Sequence, residues 1–248
     1  MLRKREIVFT EKENRSININ YGSLFHGLLM ESIDSADANR LHENSLRPFS
    51  QYLYYSKELN RWVWVINTLS EEMDNIIYKF LNNQNQLKLK NKDLLIDIDY
   101  VKEYPIKSYS DLTNEVYSME GKRNISLDFL TPCSFKISGN NVIYPEIKYF
   151  YNTILNRWNS FSDVVSINDK EAIEHIINHT YIKAFNICSK SYSLESIFVK
   201  GFDGRMTFGV NGPEPLVNLS NLMFRFAEYS GLGSRTALGM GGIRVELK

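Results

Sequence analysis

The 248-residue chain has only two cysteines, six prolines and no excess of charge of either sign, since 29 basic and 29 acidic side chains cancel. Two thiols, Cys133 and Cys188, are too few for a disulfide framework or a cysteine-rich zinc site, so each reads as a small core residue. The charge balance excludes a partner held by a global field; a polyanion would have to meet a local basic patch. No apolar run approaches the roughly 18 residues of a membrane span. The start, MLRKREIVFTEKEN, lacks the apolar stretch of a signal peptide. A cytoplasmic protein without a membrane partner is therefore expected. Histidine is scarce too, at four residues: His26, His42, His175 and His179.

Hydrophobic periodicity predicts a strand over 2–10, a helix over 22–33, and strands over 50–56 and 61–67 about a turn at Leu59-Asn60. A helix follows over 70–81, with Ser70 as N-cap and Glu71, Glu72 and Asp74 in its first turn. A strand over 86–104 is interrupted at Asn91-Lys92-Asp93. This β-α-β-β-α-β order is the ferredoxin-like unit. The polar stretch 108–124 reads as a linker. The second half repeats the order more loosely. It has a strand over 125–137, a helix over 145–161 entered by proline, and a second helical stretch over 168–178 that reads as an insertion. Strands over 181–199 and 205–210 are expected to pair across a turn at Gly201-Phe202-Asp203-Gly204, before a helix over 215–229 and a last strand over 243–247. The sequence thus predicts an α+β protein of two tandem ferredoxin-like (RRM-like) domains, 1–107 and 124–248, without residue-by-residue repetition.

Five of the 13 glycines fall between Ser230 and Ile243, in SGLGSRTALGMGGI. One reading is a helix C-cap followed by an ordinary turn. The other is a set of backbone N–H groups that, with Arg235, holds phosphates. The segment is not a P-loop, because no Gly-Lys-Ser/Thr closes it and it follows a helix. The dinucleotide fingerprint fails for the same topological reason.

The stretch FAEYSGLGSRTALGMGGIRV resembles the C-terminal glycine-rich loop of the repeat-associated RNA-binding proteins of CRISPR systems. YGSLFHGLLMESI followed by LHENSLRPFSQYLYY, and then ISLDFLTPCSFKISGNNVIYPEIKYFYNTIL, resemble the Cas-six endoribonucleases that cut CRISPR precursor RNA. The layout is closest to versions that accompany type III-A systems, and the resemblance runs over most of the chain. It implies cleavage without metal or cofactor by attack of a 2′-hydroxyl on the adjacent phosphate. The products would be a 2′,3′-cyclic phosphate and a 5′-hydroxyl. Repeat RNA is the implied partner, with an effector complex as a further candidate, and dimerisation is common among relatives.

Residue by residue, the resemblance puts His42, just after the first helix, and His26, within it, in acid–base roles suited to imidazole. Arg47, five positions beyond His42, would stabilise the phosphorane. Tyr21 precedes the helix as a substrate-orienting candidate, while Met30 stands where several members carry a tyrosine. RNA contacts are expected from Gly231, Gly233, Ser234, Arg235, Thr236, Gly239 and Gly241, and from Lys190, Lys200 and Arg205. For each basic residue a solvated strand face is the competing reading. Arg3, Lys4 and Arg5 make a weaker case for RNA contact, with a flexible basic start as the equal alternative.

His175 and His179 share a helix face in EHIINH, but Ile176 occupies the place where a metalloprotease needs Glu, and no metal is expected. KGFDGRMTF departs from the RRM signature at Asp203, so Phe202 and Phe208 read as core. Two rivals stay open: a non-catalytic RNA-binding subunit of an effector complex, and a tandem domain that recognises a protein.

Overall fold

The structure, a computed structural model, describes residues 1–11, 17–33, 46–82, 84–194 and 197–248. In the first half, β1 (Arg3–Glu11) lies between β3 (Arg61–Thr68) and β5 (Leu94–Glu103), all antiparallel, with β2 (Phe49–Ser56) and β4 (Gln86–Leu89) at the edges. Alternation along β1 sends Ile7 and Phe9 to one face, where they meet α1 (Gly22–Ser32) and α2 (Glu71–Asn82) through Phe25, Leu29, Met73 and Ile77. Val8 points the other way and joins Tyr52, Val63 and Val65 in a second cluster that Leu130 reaches from the other half of the chain. Both faces of this sheet are covered, which is why Ile7, Val8 and Phe9 are all apolar.

In the second half, β6 (Asn124–Cys133) lies between β11 (Ile243–Leu247) and β10 (Ile197–Val210), and β10 pairs outward with β9 (Thr180–Leu194). Helices α3 (Tyr109–Tyr117), α4 (Ile147–Phe161), α5 (Lys170–His179) and α6 (Glu214–Ser230) contribute to one core with this sheet. In each sheet the opening strand sits between the last strand and the third. This is the ferredoxin-like order, seen twice. We propose the division 1–107 and 124–248, with α3 packed on the second core. Among the described residues no helix is long and apolar enough to cross a membrane.

Cys133 is buried as expected but Cys188 is exposed on β9, and four expectations about the course of the chain are also corrected. The stretch 108–124 is not a linker: the Ser108 hydroxyl accepts from the Asp111 amide and the Asp111 carboxylate accepts from the Ser108 amide, both at 2.9 Å. This capping box starts α3, whose Tyr109, Leu112 and Val116 are buried. The strand expected over 125–137 breaks after Cys133, and β7 (Phe135–Ile137) folds back on β8 (Asn140–Val142) through Ser138 and Gly139. Gly201 and Gly204 make no turn but lie inside β10. A Cβ at Gly204 (φ 119°) would come 2.2 Å from the Asn186 carbonyl oxygen across the ladder, so close strand approach explains the glycine. Finally, the basic start is not flexible. Arg5 is fully buried in β1 and ion-paired to Asp74 of α2 and Glu103 of β5.

Candidate active site

Helix α1 follows a single 3-10 turn, Ile19–Tyr21, in which the Asn18 side chain accepts from the Asn20 amide at 3.0 Å. Phe25 and Leu29 anchor it to the first core, and His26 lies alongside them, its ring stacked on Phe49 at 5.9 Å between centroids. The buried Gln51 amide nitrogen donates to Gly22 of α1 at 2.8 Å and to Ala237 of the glycine segment at 2.9 Å. Its oxygen accepts from the Trp64 indole at 2.8 Å. One side chain therefore fixes the first turn of α1 against the glycine loop. On the other flank the Tyr192 hydroxyl donates toward the carbonyls of Ile19 and Leu238.

The loop ends α6 at Gly231 and is folded tightly back on the protein. Its amides at Leu232, Ser234 and Gly241 donate to the carbonyls of Gly241, Ser134 and Pro132 at 2.7–2.9 Å, and Gly242 donates to the Thr131 hydroxyl. Those N–H groups are consumed inside the fold and do not form an anion nest. The glycines serve close approach instead. At Gly241 (φ 67°) a Cβ would lie 2.0 Å from the Leu232 carbonyl oxygen. Arg235, itself left-handed at φ 59°, carries its guanidinium outward to the Asn141 amide oxygen on β8 at 2.8 Å.

Between the two halves opens a cavity of about 420 Å³. His26 and Arg47 enter from the first half; Lys136 of β7, Arg157 of α4 and Arg235 of the loop enter from the second. No carboxylate lines it among the described residues. Burial lowers the pKa of Arg47, and that of Arg157 falls to about 10 for the same reason. The smaller cleft on the other side, about 110 Å³, mixes Lys4 and Arg244 with Glu6 and Glu228 and so presents no net preference for an anion.

A concave site whose described charged residues are all cationic, with a histidine on its wall, suits a phosphate-bearing ligand. The family comparison agrees, since residues 127–243 match the family model of the CRISPR-associated endoribonuclease Cas6. The chain resembles Cas6 endoribonucleases along nearly its whole length. A Cas6 of Streptococcus thermophilus is 25% identical over 243 residues, 98% of either chain. One from Mycobacterium tuberculosis is 26% identical over 229 residues, which are 91% of this chain and 71% of the relative. A solved Cas6 product complex shares the fold over 99% of both chains, with a TM-score of 0.80 at 20% identity.

Of the residues expected to act, the cavity brings together His26, Arg47, Gly233, Ser234, Arg235 and Thr236. His42 lies outside the described residues. Tyr21 caps α1 and packs on the first core, away from the cavity lining. Gly231, Gly239 and Gly241 are buried against protein. Lys190, Lys200 and Arg205 sit on the β9–β10 ladder outside the cavity. Lys200 donates to the Ser191 hydroxyl, and Arg205 pairs with Asp128 and Glu246. Phe202 and Phe208 are core, while His175 and His179 stack on one another with centroids 3.8 Å apart. Sequence reasoning missed Lys136 and Arg157. The only signal for Arg157 is its place three residues after Ile154 and seven after Phe150, on the buried stripe of α4.

Proposed function

We propose that the chain cuts CRISPR precursor RNA within its repeats, releasing guide RNAs, by metal-independent transesterification in the cavity between its two halves. The observation that carries this reading is the meeting of His26 and Arg47 with Arg235 of the glycine loop on one surface that has no carboxylate among the described residues. A 2′-hydroxyl upstream of the cut attacks the adjacent phosphorus and the 5′-oxygen leaves. A 2′,3′-cyclic phosphate and a 5′-hydroxyl remain. That exchange needs a base for the 2′-proton and an acid for the departing oxygen, which we assign to the pair His26 and His42, four residues ahead of Leu46 at the cavity edge. Arg47 stabilises the charge that builds on the phosphorane. Its depressed pKa reports partial desolvation, and a desolvated cation interacts more strongly with that charge. Ser234, Arg235 and Thr236 orient the strand, and the basic residues of β9 and β10 extend the path of the RNA beyond the site. The setting is cytoplasmic and the partner is repeat RNA.

The test is cleavage of the cognate repeat RNA in excess EDTA by wild type, His26→Ala and His42→Ala. Binding is followed in parallel on RNA carrying a 2′-deoxy nucleotide at the cut. We expect EDTA-resistant cutting by wild type, and losses of about 10²- to 10⁴-fold in single-turnover rate with affinity retained in the variants. Abolition by EDTA, a 3′-hydroxyl product, or tight binding without any wild-type cutting would each overturn the mechanism.

A further inference from the structure

Arg157 differs from Arg5, the other buried cation among the described residues. It is 6% exposed, fixed on the apolar stripe of α4 between Ile154 and Trp158, and its Nη1 is fully enclosed. Among the described residues no carboxylate, carbonyl or hydroxyl accepts a hydrogen bond from it, and Nη1 has no partner. Arg5 shows what a buried guanidinium ordinarily looks like here, with Asp74 on one side and Glu103 on the other. A buried charge left without a counterion is strongly disfavoured, so its persistence calls for an anion that arrives from outside. The side chain lies at the wall of the same cavity that holds His26 and Arg235.

We propose that Arg157 is a phosphate-binding residue whose guanidinium receives a phosphodiester of the repeat RNA next to the one being cleaved. The inference rests on the RNA-cleaving reading above. Charge counting favours a second phosphate. Four cations, Arg47, Lys136, Arg157 and Arg235, and no carboxylate line the cavity among the described residues, whereas one phosphodiester carries one negative charge. The planar fork of an arginine matches two phosphate oxygens at once, and burial of that fork makes each contact stronger than on an open surface. Because α4 belongs to the second half of the chain and α1 to the first, a strand gripped at Arg157 is presented to His26 across the junction.

The experiment compares wild type with Arg157→Met, an apolar replacement of similar length, and Arg157→Gln, a neutral polar one. Three quantities are read: thermal midpoint without RNA, affinity for repeat RNA made uncleavable by a 2′-deoxy nucleotide, and the slope of log affinity against log salt. We expect Arg157→Met to keep or raise the midpoint. Affinity should weaken by about 10- to 100-fold. The salt slope should become shallower by about 0.7, the value of one single-strand phosphate contact. Millimolar inorganic phosphate should raise the midpoint of wild type and leave that of Arg157→Met unmoved.

Unchanged affinity and slope in Arg157→Met would overturn the proposal. So would a lowered midpoint with affinity retained, since that marks a structural arginine. If the methionine variant does not fold, the glutamine variant decides, and a wild-type slope there overturns the idea. Wild-type cutting is scored separately, so failure of the nuclease reading and failure of the Arg157 assignment give different results.

Discussion

Gly241 and Gly27 show how differently two glycines of one chain are used. A methyl group at Gly241 meets the Leu232 carbonyl oxygen at 2.0 Å from a left-handed backbone, whereas one at Gly27, inside α1, meets nothing within 4 Å. Gly241→Ala is therefore expected to lose about 2–3 kcal/mol of stability. Gly27→Ala should gain about 1 kcal/mol from helix propensity alone. Urea unfolding of the two variants beside wild type checks both signs, and a tolerated Gly241→Ala would show that the loop relaxes. The same contrast governs what the sequence reveals at this scale. His26, Arg47 and the glycine cluster stand in recognisable strings. Arg157 does not, because an arginine on an amphipathic helix reads as solvent face until a neighbouring element closes over it. The loop glycines were legible as special, but their reason was not. It lies in residues such as Ser134 and Pro132, about 100 positions away in the chain.

At the level of elements, α2 is tied to the sheet by charge as well as by its apolar face. Asp74 accepts from the buried Arg5 of β1, from Arg3, and from the Thr68 hydroxyl of β3 at 3.0 Å. Asp74→Ala strands Arg5 without its nearest counterion and should cost about 3–5 kcal/mol, measured by chemical denaturation. A loss under 1 kcal/mol would mean that Glu103 alone suffices. The element order was readable from periodicity because both halves follow one topology, and apart from α3 the helices of the described residues and most strands fall where expected. The failures are instructive. Residues 108–124 looked like a linker because their composition is polar, yet Ser108 and Asp111 at a spacing of three already carried a helix start. The Gly-Phe-Asp-Gly string looked like a turn, because turn and close approach both demand glycine and only the partner strand distinguishes them.

For the whole molecule, the tyrosines packed into the interior set its alkaline limit. Burial pushes the Tyr151 and Tyr229 hydroxyls up to about 12 and those of Tyr52, Tyr109 and Tyr192 higher still. Each therefore favours the fold fully below about pH 10, the unfolded value. It loses that contribution as the unfolded chain ionises and the folded one does not, by about 1.4 kcal/mol per pH unit per group. Arg157, from about pH 10 upward, and Arg47 run the other way, because the folded state releases their protons first, but they are two groups against five. Stability should fall steeply above pH 10, seen as a dropping urea midpoint that coincides with the tyrosinate absorbance. A flat profile to pH 12 would contradict the burial of these phenols. The junction that Gln51 makes between Gly22 and Ala237 has a different kind of consequence. The glycine segment is shaped by the walls around it, with Tyr52, Tyr192, Pro132 and Ser134 fitted to its backbone. Cut out and grafted onto another scaffold, SGLGSRTALGMGGI would not carry its conformation along. A transplant would have to take both sheets.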